Sequence, residues 1–292
     1  MQEQIQIWFQ GLFEGSYGFF DIFWSFITFF GQEMFMLIML PIVYWVLDKK
    51  AAVVIGCTSV LSMAVNGAIK DIAKIERPID DPDIRFVEVD NLFVSTTTLK
   101  GSYSFPSGHA QLSSAIMFTS AFYLKNKKFW IIAIVMAVLV ALSRVYLGVH
   151  WPLDVLVGSL LGFALAYLGY KLFVKLEDKV LFIYIALIAL GFILLIFANK
   201  EDTFKAVGAI IGFGAGAIFE KFLVNFDPKQ GKIWQKILRV VLGLVLLLGL
   251  KEGLKPIFEM IGENFFFDCI RYFILVFVGI GVYPLIFKKI KL

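Results

Sequence analysis

Residues 127–154 read KKFWIIAIVMAVLVALSRVYLGVHWPLD, and this stretch decides the class of fold. Its apolar run, residues 129–147, is close to the ~20 residues that a helix needs to cross a bilayer. A short polar segment follows, and a second apolar run, residues 152–174, starts at Pro152. Proline suits the first turn of a helix because its ring fixes φ and its missing N–H would have no partner there. The stretch therefore predicts a membrane-spanning helix that ends in a polar connection, after which the chain returns as a second span.

The same pattern extends in both directions along the chain. Apolar runs occupy residues 34–47, 51–70, 107–124, 129–147, 152–174, 180–198, 204–220, 236–255 and 265–287. The 292 residues have a mean hydropathy of +0.83 and are 60% hydrophobic but only 17% charged, whereas a soluble domain carries about 25% charged residues. This composition argues against a soluble globule and predicts an all-α, polytopic membrane helix bundle of nine spans. Nothing in it indicates a nucleic-acid partner.

The basic residues predict the orientation of the bundle, because Lys and Arg accumulate in cytoplasmic connections. If the spans alternate from an outside N-terminus, every second connection is rich in lysine: Lys49 and Lys50; Lys125, Lys127 and Lys128; Lys171, Lys175 and Lys179; Lys221, Lys229, Lys232, Lys236 and Arg239; Lys288, Lys289 and Lys291. We therefore expect a multi-pass protein of the cell membrane with its C-terminus in the cytoplasm.

Three polar stretches fall on the opposite, extracytoplasmic side. The first contains Arg144, His150 and Asp154. A carboxylate four residues from a histidine can accept a hydrogen bond from one ring nitrogen and leave the other as a nucleophile. The guanidinium of Arg144 suits phosphate oxygens. The alternative is that His150 is a structural residue at a helix end.

The second stretch is Pro106-Ser107-Gly108-His109, at the start of a predicted span. A helix N-terminus presents free N–H groups, and glycine allows a phosphate to approach them. His109 can donate a proton near neutral pH. The alternative for Ser107 is a plain helix cap.

The third stretch runs from Lys70 to Arg77 and Pro78, at the end of the run 51–70. Positions seven apart lie on nearly the same face of a helix, so both cations can point at one anion from a single side, and Pro78 stops the helix. The alternative is two side chains that reach from the membrane towards water.

Together these stretches supply two histidines, a carboxylate, three cations and a helix N-terminus, and no cluster with the spacing of a metal site. Such a set suits phosphoryl transfer without a metal or cofactor, in which the protein positions the group and neutralises its charge.

The three stretches, Lys70-x6-Arg77-Pro78, Pro106-Ser107-Gly108-His109 and Ser143-Arg144-x5-His150-x3-Asp154, resemble in order the signature motifs of the type 2 phosphatidic acid phosphatase superfamily. The resemblance implies that His150 is the nucleophile, that Asp154 holds its tautomer and that His109 protonates the leaving alkoxide. It implies that the phosphoryl group is bound by Lys70, Arg77, Ser107, Gly108 and Arg144. The implied activity is hydrolysis of phosphate or diphosphate from an amphiphilic lipid, most simply as a phosphomonoesterase, through a phosphohistidine. The substrates that the resemblance implies include phosphatidic acid, phosphatidylglycerophosphate, a sphingoid phosphate and undecaprenyl diphosphate.

The resemblance also implies a division of the chain. Residues 34–198 correspond to the six-span core of this family, with residues 71–106 as the active-site loop. Residues 1–33 are then an N-terminal segment in the membrane interface, and residues 199–292 add three further spans. Two alternatives remain open at this point: a lipid phosphotransferase that uses the same histidine, and a lipid transporter or lipid-binding protein without catalysis.

Three further features bear on substrate and assembly. The loop from Ile79 to Phe105 carries more acidic than basic residues: Asp80, Asp81, Asp83, Glu88 and Asp90 against Arg85 and Lys100. This charge favours a substrate that enters laterally from the bilayer. Four aromatic residues near the motifs can contact substrate or belong to the interfacial aromatic belt: Tyr103, Phe105, Tyr146 and Trp151. Glycines at fourfold spacing allow close helix packing or a homo-oligomer contact: Gly158 and Gly162, and Gly208, Gly212 and Gly216.

Overall fold

The structure is a computed structural model that describes residues 1–90, 95, 96, 99, 101–262 and 264–290. The α-helices are α1 (Gln2–Gly11), α2 (Tyr17–Thr28), α3 (Glu33–Ile42), α4 (Lys49–Ala73), α5 (Gly108–Leu124), α6 (Lys127–Tyr146), α7 (Pro152–Lys175), α8 (Val180–Phe197), α9 (Glu201–Phe219), α10 (Ile233–Ile261), α11 (Phe265–Phe277) and α12 (Tyr283–Lys289). Short 3₁₀ segments occupy Phe29–Gly31, Pro78–Asp80 and Glu177–Lys179, and π-helical turns occupy Val43–Leu47, Glu220–Val224 and Val278–Val282. The predicted all-helical membrane bundle is confirmed.

Fewer helices are long and apolar enough to cross a membrane than the nine spans predicted. Within the described ranges there are seven, and the bent pair Tyr17–Gly31 and Glu33–Leu47 makes an eighth if it crosses as one span. The predicted span 107–124 is helix α5, whose 17 residues extend about 25 Å. That length falls short of the ~30 Å hydrocarbon core, so α5 does not cross by length alone.

The chain divides into two compact units. Unit 1 comprises Met1–Met36 and Ile69–Leu168, and unit 2 comprises Leu37–Ala68 and Gly169–Leu292. All three polar motifs lie in unit 1.

Within unit 1, α5 and α6 pack as a helical hairpin. The turn between them is two residues long: Lys125 adopts a left-handed conformation with φ of 53°, and Asn126 caps α6 by accepting a hydrogen bond from the Lys128 N–H at 2.9 Å. A left-handed C-cap followed by an asparagine N-cap ends one helix and starts the next with few backbone groups unsatisfied. The hairpin therefore places the start of α5 and the end of α6 at the same end of unit 1.

The start of α7 is brought to that end by Gly158 and Gly162. A Cβ atom at Gly158 would lie 2.6 Å from the carbonyl oxygen of Ser107, and one at Gly162 would lie 2.3 Å from that of Gln111. Only glycine permits this approach of α7 to α5. The predicted role of this glycine pair in tight packing is confirmed.

The N-terminal helices α1 and α2 also belong to unit 1 and pack on the end of α6. Trp24 and Ile27 join a buried cluster with Val140 and Tyr146. The buried amide of Gln6 donates to the carbonyl of Val145 at 3.0 Å. The segment is therefore a packed part of unit 1, and its location in the membrane interface stays a prediction.

In unit 2, helix α9 packs against α8 and α11. Cβ atoms at Gly208 and Gly212 would lie 2.1 Å and 2.6 Å from the carbonyl oxygens of Cys269 and Phe273 in α11. Gly216 likewise faces Phe277. This glycine face thus packs within the chain, as the close-packing alternative predicts, and a homo-oligomer contact stays a prediction.

The two cysteines are also in unit 2. Cys57 and Cys269 are both buried and free.

Candidate active site

The connection between α6 and α7 carries the candidate nucleophile. Helix α6 ends at Tyr146, and the chain turns at Gly148, whose φ of 71° lies in the left-handed region. A Cβ atom at Gly148 would also lie 2.4 Å from the carbonyl oxygen of Arg85. The turn delivers His150, which is 1% exposed, immediately before α7 begins at Pro152, as predicted.

The two ring nitrogens of His150 have different neighbours. Nε2 lies 3.0 Å from Nη1 of Arg77, and Nδ1 lies 3.3 Å from Oγ of Ser104. A guanidinium can only donate hydrogen bonds, so Nε2 is the acceptor in the first contact. The lone pair of Nε2 therefore points towards the positively charged guanidinium of Arg77.

Asp154 is held in place by three hydrogen bonds. Its Oδ2 accepts from the backbone N–H of Trp151 at 2.9 Å and from Oγ of Ser104, and its carbonyl oxygen accepts from the N–H of Ser107 at 3.0 Å. The direct distance from Oδ2 to Nδ1 of His150 is 3.5 Å, longer than an ordinary N–H···O hydrogen bond. The direct carboxylate–imidazole bond expected from the four-residue spacing is therefore replaced by a contact that includes Ser104.

Arg77 reaches the site from an extended segment, which corrects the prediction that it shares a helical face with Lys70. Helix α4 ends at Ala73, and Lys74 follows with φ of 50°. Pro78 disfavours helical geometry for the residue before it, and Arg77 is extended with ψ of 157°. Its guanidinium donates to the carbonyl of Val149 at 2.9 Å, in addition to the contact with His150, and its Nε donates to Ser102.

The Pro106–His109 stretch forms the start of α5, as predicted. Ser107 occupies the N-cap position, but its hydroxyl makes no capping hydrogen bond, so the capping alternative for its side chain is not observed. The Ser107 Oγ and the His109 Nε2 are both buried and have no hydrogen-bond partner in the described part of the chain. Both groups are available to a ligand at this helix N-terminus.

Arg144 is a fully buried guanidinium in the last turn of α6. Its Nη1 donates to Oγ1 of Thr28 at 2.9 Å, whereas its Nε and Nη2 have no partner among the residues that the structure describes. A buried cation with unpaired donors is costly unless an anion accompanies it. The unpaired N–H groups of Arg144 can therefore bind an anionic group.

The electrostatic field at His150 is strongly positive. Burial, followed by the charges of Arg77, Arg144 and Lys70, holds the pKa of His150 well below its usual range. The imidazole is consequently neutral at physiological pH, the form in which a ring nitrogen acts as a nucleophile. The same positive field opposes a divalent cation at this position.

A separate acidic group lies outside the motifs. Ligand atoms of Glu3, Asp81 and Asp83 are within 4.8 Å of one another, a grouping that the sequence spacing did not reveal because Glu3 is remote in the chain. Exposed carboxylates often cluster without a metal, and we assign no ligand to them.

The aromatic and loop residues near the motifs have varied surroundings. Tyr146 is fully buried and donates to Asp21 at 2.8 Å, so neither expectation for it, substrate contact or aromatic belt, is met. Trp151 donates from its indole nitrogen to the carbonyl of Glu76 at 3.1 Å. Arg85 is bound by Asp21 through both carboxylate oxygens. Lys100 lies outside the described residues.

Two residues that contact the site are absent from the predicted set. Ser104 and Thr28 are both fully buried. Ser104 lies only three residues before Ser107, and its position next to the second motif was a signal in the sequence. Thr28 lies more than a hundred residues from Arg144, and no spacing rule connects them.

Two known protein families match this chain, one over residues 51–178 and the other over residues 204–292. The family described as "PAP2 superfamily" matches residues 51–178, and the family described as "PAP2 superfamily phosphatase, transmembrane extension" matches residues 204–292. The first match includes every predicted site residue.

Individual relatives match over shorter or longer parts of the chain. An undecaprenyl-diphosphatase of Sulfolobus acidocaldarius is 35% identical over 151 residues, which are 50% of this chain and 68% of the relative. Sphingosine-1-phosphate phosphatase 2 of Mus musculus is 28% identical over 209 residues, 67% of this chain and 56% of the relative. Phosphatidylglycerophosphatase B of Bacillus subtilis is 46% identical over 78 residues, 24% of this chain and 38% of the relative.

Proposed function

Since this chain belongs to the PAP2 superfamily, we propose that it is a membrane-embedded lipid phosphatase whose nucleophile is His150. The observation that carries the proposal is the position of His150 Nε2, 3.0 Å from Nη1 of Arg77. Unpaired donors of Ser107 and Arg144 belong to the same unit. A phosphoryl group bound by these donors would present its phosphorus to a neutral imidazole nitrogen.

The proposed reaction has two displacements at phosphorus. In the first, Nε2 of His150 forms a bond to phosphorus while the bond to the lipid oxygen breaks, and protonated His109 donates a proton to the departing alkoxide. Burial and the charges of Arg144, Lys70 and Arg77 hold the pKa of His109 well below its usual range, so the negative charge of the bound phosphate is needed to favour the protonated form. In the second, water attacks the phosphohistidine and restores the imidazole, with His109 now accepting the proton of the water. Lys70, Arg77 and Arg144 neutralise the phosphoryl oxygens, which the Ser107 hydroxyl and the Gly108 N–H also bind.

The proposed substrate is an amphiphilic lipid phosphate. The relatives named above act on a polyprenyl diphosphate, a sphingoid phosphate and a glycerolipid phosphate according to their names, and these substrates share a phosphate at the end of an apolar body. We propose phosphomonoester hydrolysis that requires no metal, because Lys70, Arg77 and Arg144 supply positive charge around His150 that would neutralise a bound phosphate.

The proposed location of the site is the extracytoplasmic side of the cell membrane. The starts of α5 and α7 and the end of α6 lie at one end of unit 1, and Lys125, Lys127 and Lys128 lie at the other end of the α5–α6 hairpin. Lysine-rich connections face the cytoplasm, so this distribution supports an outward-facing site.

The test is release of inorganic phosphate by the detergent-purified full chain with EDTA present. Substrates are phosphatidic acid, phosphatidylglycerophosphate, sphingosine phosphate and undecaprenyl diphosphate, with glucose 6-phosphate as a soluble comparison. We expect release from lipid substrates, loss of about 10⁴-fold or more in His150→Ala, and an acid-labile, base-stable phosphoenzyme in the wild type. Lys127→Ala, an exposed change at the opposite end of the hairpin, should leave the rate unchanged.

Other results would change the assignment. Activity in folded His150→Ala would exclude this nucleophile. Transfer of phosphate only in the presence of an added alcohol would identify a phosphotransferase. Equal rates on glucose 6-phosphate and on lipids would exclude recognition of the lipid body.

A further inference from the structure

Ser104 lies between His150 and Asp154, which are expected to work as a pair. It is fully buried, and its backbone N–H donates to the carbonyl of Ile75 at 2.7 Å. This bond ties the end of the loop to the segment that carries Arg77. The backbone of Ser104 is thus held next to the segment that carries Arg77.

The hydroxyl of Ser104 contacts both partners. Oγ donates to Oδ2 of Asp154 and lies 3.3 Å from Nδ1 of His150, whereas Oδ2 and Nδ1 are 3.5 Å apart. A carboxylate only accepts and a serine hydroxyl has a single hydrogen. Because that hydrogen is directed to Asp154, the contact with the imidazole requires that Nδ1 carry a hydrogen and donate it to Oγ.

The opposite side of the ring independently requires the same tautomer. Nη1 of Arg77 can only donate, and it lies 3.0 Å from Nε2. Nε2 must therefore be unprotonated to accept this bond. Two contacts on different ring nitrogens, made by residues from different segments, specify one arrangement of the imidazole proton.

We propose that Ser104 is a positioning residue that connects Asp154 to His150, fixes the proton on Nδ1 and so keeps Nε2 free to attack phosphorus. The inference rests on the proposed nucleophile. When Nε2 forms its bond to phosphorus, the ring becomes positively charged while the Nδ1 proton stays in place. The hydrogen-bonded chain from Nδ1 through Ser104 to Asp154 then stabilises that charge.

The tautomer can be read directly, because the chain has only two histidines. We would label the full-length protein with ¹⁵N-histidine and record long-range ¹H–¹⁵N correlations in detergent, assigning His150 by comparison with His109→Asn. In the wild type we expect Nδ1 to give a protonated, pyrrole-type signal and Nε2 a pyridine-type signal. In Ser104→Ala only the Arg77 contact still favours this tautomer, so we expect both nitrogens to move part of the way towards the intermediate shifts of exchanging tautomers.

Kinetics provide the second measurement. We expect Ser104→Ala to lower kcat by about 10- to 100-fold with KM changed less than about twofold, because Ser104 acts through His150 and is not expected to bind phosphate. Ser104→Thr, which keeps the hydroxyl, should restore most of the rate and the wild-type ¹⁵N pattern. If Ser104→Ala does not fold, Ser104→Cys replaces the hydroxyl by a weak donor of similar shape and should show the same changes to a smaller degree.

The outcomes separate this inference from the proposed function. An unchanged tautomer and an unchanged kcat in folded Ser104→Ala would overturn the role of Ser104, even if His150→Ala is inactive. A wild-type Nδ1 signal of the unprotonated type would overturn it as well. If His150→Ala keeps full activity while Ser104→Ala still alters the tautomer, the assignment of His150 as the nucleophile is wrong. The contact by which Ser104 positions the imidazole is then still supported.

Discussion

His150 illustrates how a single side chain depends on residues from several segments. Arg77 comes from the extended chain before Pro78, Ser104 from the end of the loop, and Asp154 from the first turn of α7. Each of these residues restricts either the charge or the orientation of the ring. The reactivity of His150 is therefore a property of its surroundings as much as of the imidazole.

The first prediction concerns the pH dependence of kcat/KM. The nucleophile must be neutral, and burial and neighbouring cations hold the pKa of His150 below its usual value. Activity should therefore persist as the pH falls through about 6.5 and decline only at lower pH. The groups that act on His150 include Arg77, Arg144, Lys70 and His109, all of which favour the neutral form.

Arg77→Gln checks the cause of this pH dependence. Loss of one positive charge makes the imidazolium less unfavourable, so the acidic limb should move to higher pH, while kcat/KM falls by about 10- to 100-fold through weaker phosphate binding. A wild-type limb that begins above pH 6.5, or a limb that does not move in the variant, would contradict the electrostatic account.

The second prediction concerns Gly148. Its φ is positive, and an added Cβ would lie 2.4 Å from the carbonyl oxygen of Arg85, so Gly148→Ala should be strained at a cost of about 1–3 kcal/mol. We expect a lower thermal transition and, because the turn delivers His150, a kcat reduced by about 10- to 100-fold. The matched control is Gly249→Ala, since a Cβ there has no neighbour within 4 Å. Equal behaviour of the two variants would show that the turn tolerates a side chain.

At the scale of elements, helix α2 supplies a contact to the site from outside the residues that the first family matches. Thr28, its last residue, accepts a hydrogen bond from Arg144, which in turn has two donors unpaired within the described residues. Thr28 thereby restricts the direction in which the guanidinium points. The N-terminal helices thus contribute to the position of the Arg144 guanidinium, which we propose binds phosphate.

The third prediction tests this contact with Thr28→Val, which keeps the shape of the side chain and removes the acceptor. We expect kcat/KM to fall by about 5- to 30-fold, mainly through weaker binding of substrate and of inorganic phosphate as an inhibitor. Thr28→Ser retains the hydroxyl and should stay close to the wild type. If valine and serine give the same inhibition constant for phosphate, Thr28 does not orient Arg144.

The helical elements also show what the sequence can predict. The start of α7 at Pro152 and the start of α5 at Gly108 follow from capping and proline chemistry, which act locally. The end of α4 comes earlier than the sequence predicts. A proline sets the last position that a helix can reach, but the helix can end before it, and here Lys74 already has a left-handed conformation.

At the scale of the whole molecule, the sequence predicts a helical membrane protein because apolar runs of span length are a direct consequence of the lipid environment. The predicted site residues are likewise identifiable as three short motifs. Ser104 lies close to the second motif, but neither its contact with His150 nor the contact of Thr28 with Arg144 can be read from spacing, because both depend on how distant segments fold together. The roles of the predicted residues and the division of the chain near residue 199 stay predictions.

The fourth prediction concerns membrane topology. Both native cysteines are buried, so single exposed cysteines can be introduced as reporters. In intact cells a membrane-impermeant maleimide should label Asp83→Cys, in the loop next to the site, but should label Lys127→Cys only after permeabilisation. The chain without introduced cysteines should remain unlabelled. The reverse pattern would place the site on the cytoplasmic side.

The glutamines of α1 have a consequence for biogenesis. Gln6 and the carbonyl oxygen that it binds are 139 residues apart, and Gln10 and its acceptor on Tyr146 are 136 apart. During synthesis α1 therefore emerges long before the end of α6 exists, and these two hydrogen bonds form only after at least 136 further residues have been made. Helix α1 is made before α6, so its packing on the end of α6 is a late step in the assembly of unit 1.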